Sequence, residues 1–232
     1  MIEKICLFGD SIAKGIIIDE VLGKYTVTKS SFANILSLDK RWSSIKNFSM
    51  LGCTIAKGRS LIARHIKSVE NCDMVILEYG GNDSDHHWDE ISQNPDLAHS
   101  PKTPIEDFAK DYRDIISGLK AMSKKIVMLN LPPIDHHKYF NWFCQNLNKM
   151  NILRWLGGSE ENIYKFHESY SICVSEIAAD ENIPLVDIRS GFLALGAYTD
   201  HLCADGIHPN EKGHRLIARI INDKVPSLVA YI

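Results

Sequence analysis

A chain of 232 residues with 45% hydrophobic and 24% charged residues is long enough to bury a sizeable core, and one α/β domain over 1–232 is the simplest count. The net charge of -3, with basic residues scattered, leaves out the basic footprint of a nucleic-acid binder or of a protein held on an anionic membrane, and no apolar run reaches the length of a membrane span. Met1-Ile2-Glu3-Lys4 leads into a short strand rather than an apolar signal segment, and the six cysteines (Cys6, Cys53, Cys72, Cys144, Cys173, Cys203) include no Cys-x-x-Cys pair, so reduced thiols in a cytoplasmic protein are expected.

Strand-like runs recur at 4–8, 45–50, 73–79, 125–130 and 183–187, rich in Ile, Val, Leu or Met with little polar alternation. That is the pattern of strands buried on both faces of a parallel sheet. Helical patterns fill the gaps at 31–38, 56–70, 104–123, 160–181 and 210–224, and a helix is also expected to begin within 12–17. Thr103 before Pro104, with Glu106 and Asp107 behind, reads as a cap and first turn, and Thr54 reads as a cap for the second helix. The alternation argues for a three-layer α/β/α sandwich with right-handed crossovers. Two stretches interrupt it. Residues 83–103 read as a long polar loop carrying His86, His87, Trp88 and His99, and residues 132–158 as a helical insertion over one rim of the sheet, with Tyr139, Phe140, Trp142, Phe143 and Trp155.

Four stretches carry chemistry. Gly9-Asp10-Ser11 follows the first strand, placing a hydroxyl at a strand's carboxyl end and near a helix N-terminus, where open α/β sheets bind ligands. Asp205-Gly206-Ile207-His208-Pro209 sets a carboxylate and an imidazole three residues apart beside the last helix, a spacing that lets His208 take a proton from Ser11 while Asp205 orients the ring. Read without that partner, Asp205 is a helix cap and His208 a surface residue. Gly80-Gly81-Asn82-Asp83 follows the third strand and offers the Asn82 amide to developing negative charge, though Gly and Asn also make ordinary turns. Gly52, after the second strand, offers its N–H to the same charge or simply closes a strand-to-helix turn. All loops that follow the strands of a parallel sheet emerge on one edge, so the four stretches can converge.

Taken together, Gly9-Asp10-Ser11, Gly52, Gly80-Gly81-Asn82-Asp83 and Asp205-Gly206-Ile207-His208-Pro209 resemble the SGNH, or GDSL-type, esterases and lipases in order and spacing over almost the whole chain. The resemblance implies a flavodoxin-like sheet of five parallel strands. It also implies a serine hydrolase without a cofactor, with Ser11 as nucleophile, His208 as general base and then acid, and Asp205 as the orienting carboxylate. The oxyanion hole would be the Ser11 and Gly52 N–H groups with the Asn82 side chain. Ile12 replaces the usual Leu of the first block and Ser49 a common Gly of the second, neither at a position that does chemistry. Asp10, Asp83, His86 and Trp88 are taken as substrate contacts, Asp83 also supporting the loop that positions Asn82.

Rival readings weigh less. Asp83, Asp85, His86 and His87 cluster as metal ligands would, but without the His-x-x-x-His spacing of one helix face, and no metal is expected. The phosphate-binding Gly-x-Gly-x-x-Gly and Gly-x-x-x-x-Gly-Lys patterns and the Gly-x-Ser-x-Gly elbow are absent. A non-catalytic binding module on the same fold, and a lysophospholipase or thioesterase within the family, are the alternatives to an esterase. The aromatics of 139–155 and Trp88 suit a pocket floor, a core, or a subunit contact in a homo-oligomer. The expected partner is a small soluble ester, with an acetylated sugar as the leading choice, and neither nucleic acid nor membrane.

Overall fold

A computed structural model describes residues 4–19, 23–40, 42 and 44–229, with side chains through residue 225. The chain opens with strand β1 (Lys4–Gly9), a short helix α1 (Ser11–Lys14) and an antiparallel hairpin of β2 (Ile16–Asp19) and β3 (Lys24–Val27). Helix α2 (Phe32–Ser37), strand β4 (Ser44–Asn47), helices α3 (Ile55–Arg64) and α4 (Ile66–Glu70) and strand β5 (Met74–Glu78) follow. Next come α5 (Trp88–Gln93), α6 (Ile105–Ala121), β6 (Lys125–Leu129), α7 (His136–Phe143) and α8 (Lys149–Trp155). The chain then runs through α9 (Glu161–Asp180), β7 (Leu185–Val186), α10 (Ile188–Leu193) and α11 (Glu211–Val229).

The main sheet is parallel, in the order β4-β1-β5-β6-β7. This is the expected five-stranded flavodoxin-like arrangement, and its order reverses at β1. Alternate residues feed opposite layers, as the two-residue period of a strand requires. Cys6, Phe8, Val75, Leu77, Ile126 and Met128 pack with α3, α6 and α9, whereas Ile5, Leu7, Met74, Ile76, Val127 and Leu129 pack with α2, α10 and α11. A third, smaller core lies under the insertion, where Trp88, Ile91, Phe140, Cys144, Ile152 and Leu156 meet. All six cysteines are buried and unbridged.

Several local expectations are corrected. The helix expected within 12–17 ends at Lys14, because Gly15 takes a left-handed φ of 85° and three isoleucines then continue as strand β2. The 56–70 helix breaks at His65 into α3 and α4. Thr54 makes no side-chain cap, since Asp83 takes that role by accepting from Ile55 N at 2.9 and 3.2 Å. Pro104, not Thr103, stands at the cap position of α6, and the Thr103 hydroxyl turns to Asp83 instead. The 83–103 loop contains α5, while the 132–158 segment is helical as expected.

Candidate active site

β1 ends in Gly9, and a Cβ there would stand 2.6 Å from the Ala13 side chain and 2.7 Å from the Glu78 carbonyl oxygen. Only glycine lets the chain turn this tightly from sheet to helix. Asp10 then caps α1, its Oδ1 accepting from Ile12 N at 2.8 Å, and Ser11 stands at the first helical position. At the far end of the sequence, Asp205 Oδ1 accepts from the Ile207 and His208 N–H groups, both at 3.1 Å, in a turn that depends on Gly206 at a φ of 76°. This turn aims His208 at β1. The Ser11 hydroxyl donates to His208 Nε2 at 2.9 Å, and His208 Nδ1 donates to Asp205 Oδ2 at 2.5 Å. All three side chains are buried, so the imidazole faces a fixed carboxylate through a medium that screens little.

Gly52 and Asn82 lie in the same cavity as Ser11. Gly52 has a φ of 68° and open space where a Cβ would be, so the glycine answers to backbone conformation and not to crowding. Neither the Ser11 nor the Gly52 N–H donates to another group among the described residues. The Asn82 amide gives one hydrogen to Asp10 Oδ2 at 3.0 Å, leaving its second for a ligand. Three donors thus border one cavity with the serine, the composition of an oxyanion hole. Behind Asp10 lies Glu78, fully buried, with Oε2 accepting from Asp10 N at 3.4 Å. Burial raises both carboxyls, and the neighbouring Asp10 charge drives Glu78 further, well above the carboxylate range.

The cavity measures about 170 Å³ and is walled beyond these groups by Trp88, Tyr139, Ile163, Phe166, His86 and His167. Asp85 braces the wall by accepting from Trp88 Nε1 at 2.7 Å, Tyr139 OH at 2.8 Å and Lys102 Nζ at 2.7 Å. On the other side Tyr25, from the hairpin, lies 5.1 Å from the His208 ring, centroid to centroid, and 6.3 Å from Trp142.

Of the residues expected from sequence, Ser11, Gly52, Asn82, His208, Asp10, His86 and Trp88 all line this cavity, and Asp205 stands directly behind His208. Asp83 does not line it; burial raises its pKa to about 6, and it serves the N-terminus of α3. The 83–87 side chains are separately engaged, Asp83 on α3, Asp85 on the wall and His86 among aromatic rings, and no group of three metal-ligating side chains forms among the described residues. Of the 139–155 aromatics only Tyr139 reaches the cavity, while Phe140, Phe143 and Trp155 pack in the third core. Sequence reasoning missed Tyr25 and His167. Gly23 between two β-branched runs was a usable hairpin signal for the first; His167 sits at a buried helical spacing that looks like any core position.

Known proteins share this fold. Similar folds include a lipase/acylhydrolase from Enterococcus faecalis, with 19% identity over 97% of this chain and 96% of that one and a TM-score of 0.67. They also include the acetyl xylan esterase AlAXEase, with 20% identity over 96% and 99% and a TM-score of 0.64. A catalytic mutant of the acetylxylan esterase Axe2 from Geobacillus stearothermophilus matches with 16% identity over 96% and 93% and a TM-score of 0.65. Comparison with curated proteins finds no match. The model of the GDSL-like lipase/acylhydrolase family matches residues 7–216, nearly the full length, and the chain belongs to that family.

Proposed function

We propose that the protein is a serine esterase that hydrolyses carboxylic esters of a small soluble substrate through an acyl-enzyme. The observation that carries this reading is the continuous hydrogen-bond chain Ser11–His208–Asp205 opening onto a cavity bordered by three free donors. Ser11 Oγ attacks the ester carbonyl carbon as its proton passes to His208 Nε2, and the carbonyl electron pair moves onto oxygen, facing Ser11 N, Gly52 N and Asn82 Nδ2. Each such donor is worth roughly 3 kcal/mol of barrier when aimed at the oxyanion. Collapse breaks the bond to the alcohol, which leaves with the His208 proton. Water, activated by the same ring, then releases the acid.

The small volume of the cavity favours a short acyl chain over a long one, and the fold likeness to acetyl xylan esterases supports an acetylated carbohydrate as the substrate class. The test is hydrolysis of p-nitrophenyl esters from acetate to decanoate by wild type, Ser11→Ala and His208→Ala. Turnover that fades with chain length and disappears in both variants is expected. Equal turnover in Ser11→Ala would remove the serine from the mechanism.

A further inference from the structure

His86 and His167 both line the catalytic cavity, and each is more than nine-tenths buried. In each ring Nδ1 is sealed from solvent without a hydrogen-bond partner. His86 is held by ring contacts with Trp88, Trp155 and Phe166 at centroid distances of 5.1 to 5.4 Å, and His167 follows Phe166 on α9. Burial keeps both rings neutral, pulling His86 down to about 4 and His167 to about 3, the latter with help from the Arg189 charge. A proton on Nδ1 would be a buried donor with nothing to receive it, so each neutral ring carries its proton on Nε2. Each ring then keeps one N–H donor, and both residues line a cavity whose remaining wall is largely apolar. No lysine or arginine lines it; of its two carboxyls, Asp85 is paired with Lys102 and Asp10 accepts from Ile12 N and Asn82.

We infer that His86 and His167 form a recognition pair for neutral acceptor oxygens of the substrate, so that the cavity selects esters carrying a hydroxyl, ether or carbonyl oxygen over plain alkyl esters of the same shape. This rests on the esterase reading and deepens it. An apolar acyl chain entering the cavity would strip both donors of water and return nothing, a cost comparable to a lost hydrogen bond for each. An oxygen-bearing chain would return what it displaces. A phosphate-bearing substrate such as a lysophospholipid would find no lysine or arginine among the lining residues to pair its charge.

The experiment uses two isosteric ester pairs, one varied on the alcohol side (2-methoxyethyl acetate and butyl acetate) and one on the acyl side (4-nitrophenyl methoxyacetate and 4-nitrophenyl butanoate). Each kcat/KM is normalised to hydroxide-catalysed hydrolysis of the same ester. Wild type is expected to prefer the oxygenated member of at least one pair by about fivefold or more, a preference lost in His86→Phe or His167→Phe and partly kept in His167→Gln, which retains an N–H donor. The wild-type preference is read without any variant, and the two positions are substituted separately, so one poorly folded variant leaves the test intact. Preferences within about twofold in both pairs would overturn the inference while the esterase reading stood. Failure of wild type to hydrolyse any of the four esters, with Ser11 unreactive toward a fluorophosphonate, would overturn the esterase reading and this inference with it.

Discussion

The Asn82 side-chain amide donates to Asp10 Oδ2 at 3.0 Å, so the residue preceding Ser11 fixes the orientation of the amide proposed to bind the oxyanion. Asp10 also accepts from Ile12 N, which ties the same carboxylate to the helix carrying Ser11. Ser11 and the Asn82 amide are thereby held in one frame. Asn82→Ala is expected to lower kcat by about 10²- to 10³-fold with KM little changed. Asp10→Asn should lower kcat by about tenfold or more through loss of that orientation. The double variant should lose less than the sum, because both substitutions act on one donor; a steady-state double-mutant cycle measures this.

Glu78 is buried beside Asp10, and its pKa is raised well above the ordinary range, by burial first and by Asp10 second. Its charged form is therefore disfavoured in the fold. Glu78→Gln keeps a neutral side chain of the same shape, so its unfolding free energy at pH 7 is expected within about 1 kcal/mol of wild type. Glu78→Ala should cost about 2 kcal/mol or more, through lost packing and the unpartnered Asp10 N–H. Urea unfolding of both variants checks the difference.

The strands were legible because β1, β5 and β6 are buried on both faces, which makes each a nearly unbroken apolar run. The site was legible because its members follow β1, β4 and β5 at one sheet edge, with Asp205 and His208 before α11. The hairpin was not. Ile16-Ile17-Ile18 fits a helical or an extended period equally, and all four residues of β3 are exposed, so the alternation that marks a strand is missing there. His167 escaped for the opposite reason. It lies in a 20-residue helix where buried positions recur on schedule, and nothing in that period tells a cavity wall from a core.

Gly52→Ala tests backbone conformation separately from space. Nothing lies within 4 Å of the added Cβ, so the variant should fold, but a φ of 68° costs a non-glycine residue about 1–2 kcal/mol. The expected result is a stability loss of that size, with kcat reduced by about tenfold as the Gly52 N–H swings off the oxyanion position. Thermal unfolding and kinetics on p-nitrophenyl acetate measure both.

His167 also sets an acid limit. Burial holds its pKa at about 3 in the folded protein, against 6.5 for the free ring. Below pH 6.5 the unfolded chain takes up a proton that the native ring refuses, so this residue makes the fold less stable as pH falls from 6.5 toward 3. Between pH 7 and pH 5 the loss amounts to about 2 kcal/mol. His167→Phe should lose about that much less than wild type over the same interval in urea unfolding.

The central claim is that Ser11 is a nucleophile activated by His208, and covalent labelling tests it most directly. A fluorophosphonate probe followed by peptide mass spectrometry should place one adduct on Ser11 of wild type and none on Ser11→Ala, with labelling of His208→Ala at least about 10³-fold slower. No adduct on Ser11, or labelling of His208→Ala as fast as wild type, would contradict the account.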